Sequence, residues 1–206
     1  MLDIAIVAGS TRPGRHARVV ADWLLRLANE RGDAQFEIVD LADHDLPLLD
    51  EALPPSAGQY TQPHTRAWAA TIERFDGFVF VTPEYNRAPS AALKNAIDFL
   101  YAEWHNKAAG FVAYGSHGGT RAVEQLRLIM GELQIADVRD QVALSLFDDF
   151  VDFTVLNPRP RQTSAAHAML DQVVAWSHAM KDVRLGRTAA RDVELHPAAA
   201  IASRSA

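Results

Sequence analysis

Three short stretches of this chain concentrate residues suited to holding an anion or a flat polar molecule. The first is Gly9-Ser10-Thr11-Arg12-Pro13-Gly14-Arg15-His16, which follows an apolar run and precedes a helical pattern. A strand that ends in such a loop and passes into a helix aims several backbone N–H groups, and the positive helix end, at one point. An anion belongs there. The hydroxyls of Ser10 and Thr11 can donate to phosphate oxygens, while Arg12, with Arg15 or His16, can add charge-assisted contacts. The competing reading is a tight turn made of Gly, Pro and Ser. Gly-x-Gly-x-x-Gly is absent, since only Gly9 and Gly14 are present, and a Walker lysine is missing. A monophosphate therefore fits better than a dinucleotide.

The second stretch is Pro83-Glu84-Tyr85-Asn86-Arg87-Ala88-Pro89-Ser90, a polar loop bracketed by two prolines. An aromatic, an amide and loop backbone groups could face a planar heterocycle. Tyr85 could equally plug the loop from below, and Glu84 could be a plain surface carboxylate beside a useful backbone N–H. Arg87 has two readings, stabilising negative charge on a bound molecule or pointing into water. The third stretch, Gly115-Ser116-His117-Gly118-Gly119, repeats the strand, glycine, helix order of the first. Its backbone could approach a ring closely. His117 could deliver a proton or be an ordinary loop histidine.

The surrounding elements place all three stretches at strand ends. Leu2 to Ala8 and Phe78 to Thr82 are continuous apolar runs of the kind found in inner parallel strands. Ala17, Val20, Ala21, Leu24, Leu27 and Ala28 mark a helix that Gly32 stops, and Phe36 to Val39 is a further strand. Trp68, Ile72 and Phe75 predict a second helix; Ser90 caps a third that runs to about Tyr101. Phe111 to Tyr114 is the fourth strand. Val123, Leu126, Met130 and Leu133 line the next helix, and the fifth strand lies near Val138 to Leu144. Ser164 can cap a last helix carrying Leu170, Val173, Val174 and Ser177. Leu41 to Gln62 is a long acidic, proline-bearing loop that could wall a pocket or meet a partner subunit. Leu146 to Pro160 follows no period.

Five strands alternating with helices predict an α/β fold, a doubly wound five-stranded parallel sheet with helices on both faces. Ligands of such sheets bind at the carboxyl ends of the strands. One domain over residues 1–185 is expected, with 186–206 a tail that is disordered or draped on a neighbour.

The 206 residues are 49% hydrophobic and 22% charged, and no apolar run is long enough to span a bilayer. With no basic leader, a cytoplasmic protein without a membrane partner is expected. A formal charge of −6 gives no reason to expect nucleic acid. The chain has no cysteine, so any redox chemistry needs a bound cofactor. The eight histidines show no metal-ligand spacing, and no metal site is expected.

The first loop and the Pro83-Glu84-Tyr85-Asn86 signature, set before Leu93-Lys94-Asn95-Ala96-Ile97-Asp98, closely resemble the NADPH-dependent FMN reductase family. That family of flavodoxin-like flavoproteins includes quinone, azo-dye and chromate reductases, and the resemblance runs from about Leu2 to about Leu144. It implies FMN as cofactor, with its phosphate on Ser10, Thr11, Arg12, Arg15 and His16. It also implies a ring held by Pro83, Glu84, Tyr85 and Asn86 and by Gly115, Ser116, His117 and Gly118. NADPH or NADH would deliver hydride to FMN, and a small-molecule electron acceptor such as a flavin, quinone or azo compound would collect it. The resemblance further implies a homodimer or homotetramer, with Tyr101, Trp104 and His105 near a subunit contact. No side chain is required as a general base; Arg87 and His117 are the candidates for an assisting role. Two rival readings are an electron-carrier flavodoxin without a nicotinamide site and a scaffold of the same fold without cofactor.

Overall fold

The computed structural model describes residues 1–187; the tail beyond them lies outside the described residues. Five parallel strands, β1 (Asp3–Ala8), β2 (Gln35–Asp40), β3 (Gly77–Pro83), β4 (Ala108–Gly115) and β5 (Ala136–Ser145), form one sheet in the order β2-β1-β3-β4-β5. The fold expected from the sequence is thus the one observed.

Side-chain alternation along these strands supplies two cores. Ile4, Ile6, Val79 and Val112 face α1 (Ala17–Asn29) and α5 (Pro160–Arg184). Ala5, Val7, Phe78, Phe80 and Phe111 face α2 (Pro63–Glu73), α3 (Ala91–Asp98) and α4 (Thr120–Glu132). The strand order reverses between β1 and β3. There the following helices leave on opposite faces, and a crevice opens at the carboxyl edge.

Three details differ from expectation. The last helix begins at Pro160, which stands at its first position, with Arg159 as the preceding cap. Ser164 sits inside that helix and donates to the Pro160 carbonyl, 3.3 Å. Proline's preset φ starts the helix one turn before the serine would. Second, α3 stops at Asp98 rather than near Tyr101, because the chain turns into a short 3-10 segment, Ala102–Trp104. Trp104 is buried: its Nε1 donates to Ile97 O, 3.1 Å, and its ring packs on Phe78. It is a core residue. Third, the aperiodic stretch 146–160 contains a small antiparallel hairpin, β6 (Phe150–Val151) and β7 (Val155–Leu156). Two-residue strands show no detectable period.

The loop after β2 is ordered by specific contacts. The Asn95 amide on α3 donates to Pro47 O, 2.6 Å, and accepts from Leu49 N–H, 3.0 Å. The Glu51 carboxylate closes the loop on Thr61 and Gln62 N–H. Desolvation opposes ionisation there, yet those N–H donors hold its pKa down to about 2.

Candidate functional site

The first loop hangs from β1 by close backbone contact with β3 and α3. Gly9 N–H donates to Val81 O, 2.8 Å, and the Ser90 hydroxyl donates to Gly9 O while accepting from Leu93 N–H, 3.1 Å. Ser90 therefore caps α3 as its type predicts and also clamps the loop. A Cβ at Gly9 would lie 2.8 Å from Val81 O and 2.9 Å from a Leu93 methyl. Only glycine fits.

Beyond Gly9 the loop rises over α1. Ser10 is buried, whereas Thr11 and Arg12 are exposed, and Arg12 N–H reaches the Ser10 hydroxyl only at 3.5 Å. α1 begins after His16, so its first-turn N–H groups stand at the end of this loop. Two residues from the expected phosphate set have other partners. Arg15 Nη2 donates to the buried Asp40 carboxylate at the end of β2, 2.7 Å, so its charge is largely neutralised there. The His16 ring packs on Phe150 and Tyr114, with centroids 5.0 and 5.9 Å away. Burial, helped by the Arg12 charge and partly offset by the Phe153 backbone, lowers its pKa. That shift disfavours the charged ring, so of the expected phosphate set His16 is the residue least suited to adding positive charge.

In the second loop, Tyr85 to Ala88 form a two-residue hairpin turn: Tyr85 N–H donates to Ala88 O, 2.9 Å, and Ala88 N–H to Tyr85 O, 3.0 Å. Asn86 (φ 50°) and Arg87 (φ 69°) both lie in the left-handed region, as this turn requires. Gln125 on α4 donates to Arg87 O, 2.5 Å. Glu84 is neither exposed nor free. Its carboxylate accepts from Arg121 N–H and Arg121 Nη1, each 3.0 Å, and its own N–H is spent on Tyr114 O, 2.9 Å. Glu84 thus joins β3 to the start of α4, and neither its carboxylate nor its N–H faces the crevice unpaired. Pro83 is buried against β4 as the last residue of β3.

The third loop contributes exposed Ser116 and His117 above a turn closed by Gly118 N–H to Gly115 O, 3.1 Å. Gly118 (φ 70°) and Gly119 (φ 71°) are both left-handed. A Cβ on Gly118 would sit 2.9 Å from Ala143, and one on Gly119 2.5 Å from Ala113. The missing side chains face the sheet, so packing under the loop, more than approach to a ligand, selects these glycines.

The loops meet across the crevice. Arg12 Nε donates to the Tyr85 hydroxyl, 2.9 Å, linking residues 73 positions apart. Beneath them the Tyr114 hydroxyl and Arg15 Nε are buried with no hydrogen-bond partner. Burial pushes the Tyr114 phenol up and the nearby Tyr85 adds to that, while the Arg12 charge and the Ala17 N–H beside the phenol oxygen oppose it, which leaves the O–H proton itself without an acceptor. A protonated donor is therefore held under the first loop.

A model of the NADPH-dependent FMN reductase family matches residues 2–149. The chain belongs to that family. It is 40% identical over 157 residues to an NAD(P)H-dependent FMN reductase of Schizosaccharomyces pombe, covering 75% of this chain and 78% of the relative. A quinone reductase of Pseudomonas putida is 33% identical over 185 residues, 84% of this chain and 93% of that protein. The fold also matches a flavoenzyme NAD(P)H:acceptor oxidoreductase of Paracoccus denitrificans with a TM-score of 0.68 and 20% identity, covering 87% of this chain and 99% of that one.

As a member of the FMN reductase family the chain is an oxidoreductase that uses FMN and NAD(P)H. The residues present fit that cofactor. The first loop offers N–H donors, the Ser10 and Thr11 hydroxyls and the Arg12 guanidinium to one phosphate. The unpartnered Tyr114 hydroxyl and Arg15 Nε are buried donors that a phosphate oxygen would satisfy. Tyr114, Arg121 and Asp40 were missed in the sequence. Tyr114 ends an apolar run and reads as core, and the partners of Arg121 and Asp40 lie 37 and 25 positions away.

Proposed function

We propose that FMN lies along the carboxyl edge of the sheet, its phosphate on Ser10, Thr11 and Arg12 and its ring between the Pro83–Asn86 and Gly115–Gly118 loops. The observation that carries this reading is the Arg12–Tyr85 hydrogen bond across the crevice, with buried donors left unpartnered beneath it. When bound, FMN supplies the redox chemistry, taking hydride from NADPH or NADH and passing electrons to a flavin, quinone or azo acceptor.

The protein's own part is binding and positioning. Arg12 is the one cation of the first loop whose side chain meets no carboxylate among the described residues, so it is the group that reads phosphate charge. The bond from Arg12 orients the Tyr85 hydroxyl, and the turn at Asn86 presents an amide to the ring. The Glu84–Arg121 pair keeps the second and third loops in register. No carboxylate pair or triad is needed, because hydride transfer on the cofactor requires no side-chain base.

An NAD(P)H-linked enzyme of this kind works in the cytoplasm, where its reductant is made. No helix among the described residues is long and apolar enough to cross a membrane. A homodimer or homotetramer is supported by a groove of about 500 Å³ between α3 and α4, lined by Ile97, Leu100, Tyr101, Ile129 and Leu133. Leu128, 79% exposed, lines it too, together with the charged Lys94, Asp98 and Glu132, and suits contact with a second copy.

Purified protein is expected to be yellow, to bleach anaerobically with NADPH or NADH, and to recover colour when a quinone is added. Colourless protein that fails to bind micromolar FMN overturns this reading. Bleaching by a one-electron reductant but not by either nicotinamide would assign an electron carrier instead.

A further inference from the structure

The segment between β5 and α5, residues 146–159, carries aromatic surface that neither core uses. Phe150 points inward and packs on His16 and Tyr114. Phe147 and Phe153 point outward: they are 66% and 54% exposed and meet edge to face with centroids 5.5 Å apart. Val151 and Val155 extend this apolar surface.

The backbone is strained to hold it. Thr154 N–H donates to Val151 O, 3.0 Å, closing a turn whose central residues, Asp152 (φ 47°) and Phe153 (φ 57°), are both left-handed. Such turns favour Asn-Gly, and a bulky aromatic at the second position is a departure. The hairpin is nonetheless clamped at its base. The Asp149 side chain is fully buried and accepts from Arg159 N–H, Nε and Nη2, Ser145 N–H and Gln162 Nε2, all within 3.1 Å. Asn157 N–H donates to its carbonyl, 2.8 Å. Strain kept in place by so firm a base marks a part of the molecule in use.

The segment that carries the aromatic pair lies beside the first and third loops. Leu146 N–H donates to Gly115 O, 3.1 Å, so the segment begins against the third loop, one residue before Phe147. At the other end the hairpin meets the first loop through Phe150, whose ring lies 5.0 Å from that of His16. Charge narrows the occupant. Residues 146–159 contain Asp148, Asp149 and Asp152 against the single cation Arg159, which Asp148 and Asp149 already engage at 3.3 and 2.9 Å. Asp152 pairs with no cation among the described residues. An anionic ring would be repelled.

We propose that Phe147 and Phe153 form a platform for a neutral, planar aromatic electron acceptor of the quinone type, with the aspartate rim selecting against anionic acceptors. This rests on the reductase reading above. It places one half of the platform, Phe153, and the unpaired Asp152 beyond residues 2–149, which the family match covers.

Phe153→Asn separates use from stability, because asparagine accepts the left-handed region and the variant is expected to melt no lower than wild type. In steady-state assays of holoenzyme, its KM for a neutral naphthoquinone, divided by its KM for ferricyanide, is expected to rise about five- to ten-fold. Asp152→Lys is expected to lower the KM for a naphthoquinone sulfonate relative to the neutral parent about three-fold. Unchanged ratios in variants that retain FMN and bleach with NADPH overturn the platform. A drop in oligomeric state of Phe153→Asn by light scattering would assign the aromatics to a subunit contact and overturn it too. Wild-type protein that binds no FMN removes the reductase reading itself, and the platform falls with it.

Discussion

The two edges of the sheet handle charge differently. At the amino edge the Asp76 carboxylate accepts from Lys181 Nζ (2.7 Å), Arg184 Nη2 (2.5 Å) and Asp3 N–H (3.2 Å), so α5 is tied to β1 and β3. Beside it Lys107 is 4% exposed, and its Nζ donates to the last carbonyls of α2, Ile72 O (2.9 Å) and Glu73 O (3.1 Å). At the carboxyl edge, Thr11, Arg12, Asn86, Arg87, Ser116 and His117 face water, and the Tyr114 hydroxyl and Arg15 Nε are buried without partners. The charges of the amino edge are thus closed on the fold itself, although Ser177 Oγ beside Gly77 and His105 Nε2 are buried there without hydrogen-bond partners. Open donors around a crevice are explained by something that binds there.

The largest expected effect is at the open edge. Ser10→Ala combined with Arg12→Ala removes two phosphate contacts, each ~1.5–3 kcal/mol, and should weaken FMN binding more than 100-fold. Fluorescence titration of apoprotein measures it, and the melting temperature should move little, since Arg12 bonds only the exposed Tyr85 hydroxyl. Full FMN retention would place the phosphate elsewhere.

Asp76→Ala is the mirror experiment. It strands two cations and a strand N–H, so a stability loss of about 3 kcal/mol, or roughly 6–10 °C in melting temperature, is expected. FMN affinity should be unchanged. A matching loss of affinity would mean that the two edges are coupled and their division of labour is false.

Lys107 sharpens the same contrast through pH. Desolvation, aided by the Arg184 charge, lowers its pKa from 10.5 to about 8. The unfolded chain therefore binds more protons than the folded one between about pH 8 and 10.5, and stability from this group rises with pH across that window. Below pH 8 both states are protonated and the penalty is fully present. Relative to Lys107→Met, wild type should gain about 2 kcal/mol in denaturant unfolding between pH 8 and 10. A parallel pair of stability curves would show that Lys107 titrates normally.

How much of this was legible in the sequence follows from the range of the interactions. The sheet could be read because its inner strands are unbroken apolar runs and each ends at Gly or Pro. Ser90 was legible as a cap because capping acts over three residues. The pairings of Arg15 with Asp40, Glu84 with Arg121 and Arg12 with Tyr85 cross between elements, and no local pattern records them. For the glycines of the third loop the sequence left both ligand approach and a plain turn open, and Gly118 and Gly119 have a packing reason, clearance of Ala143 and Ala113, that only the fold reveals. The hairpin at 150–156 stayed hidden because its strands are two residues long and Phe153, at the second turn position, is the wrong type for the left-handed conformation it adopts.

The smallest expected effect concerns Arg87, which sits at φ 69° at the tip of the second loop. Glycine populates that region freely, so Arg87→Gly should relieve strain and stabilise the protein by about 0.5–1 kcal/mol, although a more flexible unfolded chain offsets part of the gain. Because Gln125 bonds the Arg87 carbonyl rather than its side chain, the turn itself should survive the change. The guanidinium is thereby tested alone. If it meets a nicotinamide phosphate, Arg87→Gly raises the KM for NADPH several-fold and leaves that for NADH in place, because only the former carries the extra phosphate. If both KM values hold while the melting temperature rises, Arg87 points into water and the strained turn serves Asn86 and Tyr85 instead.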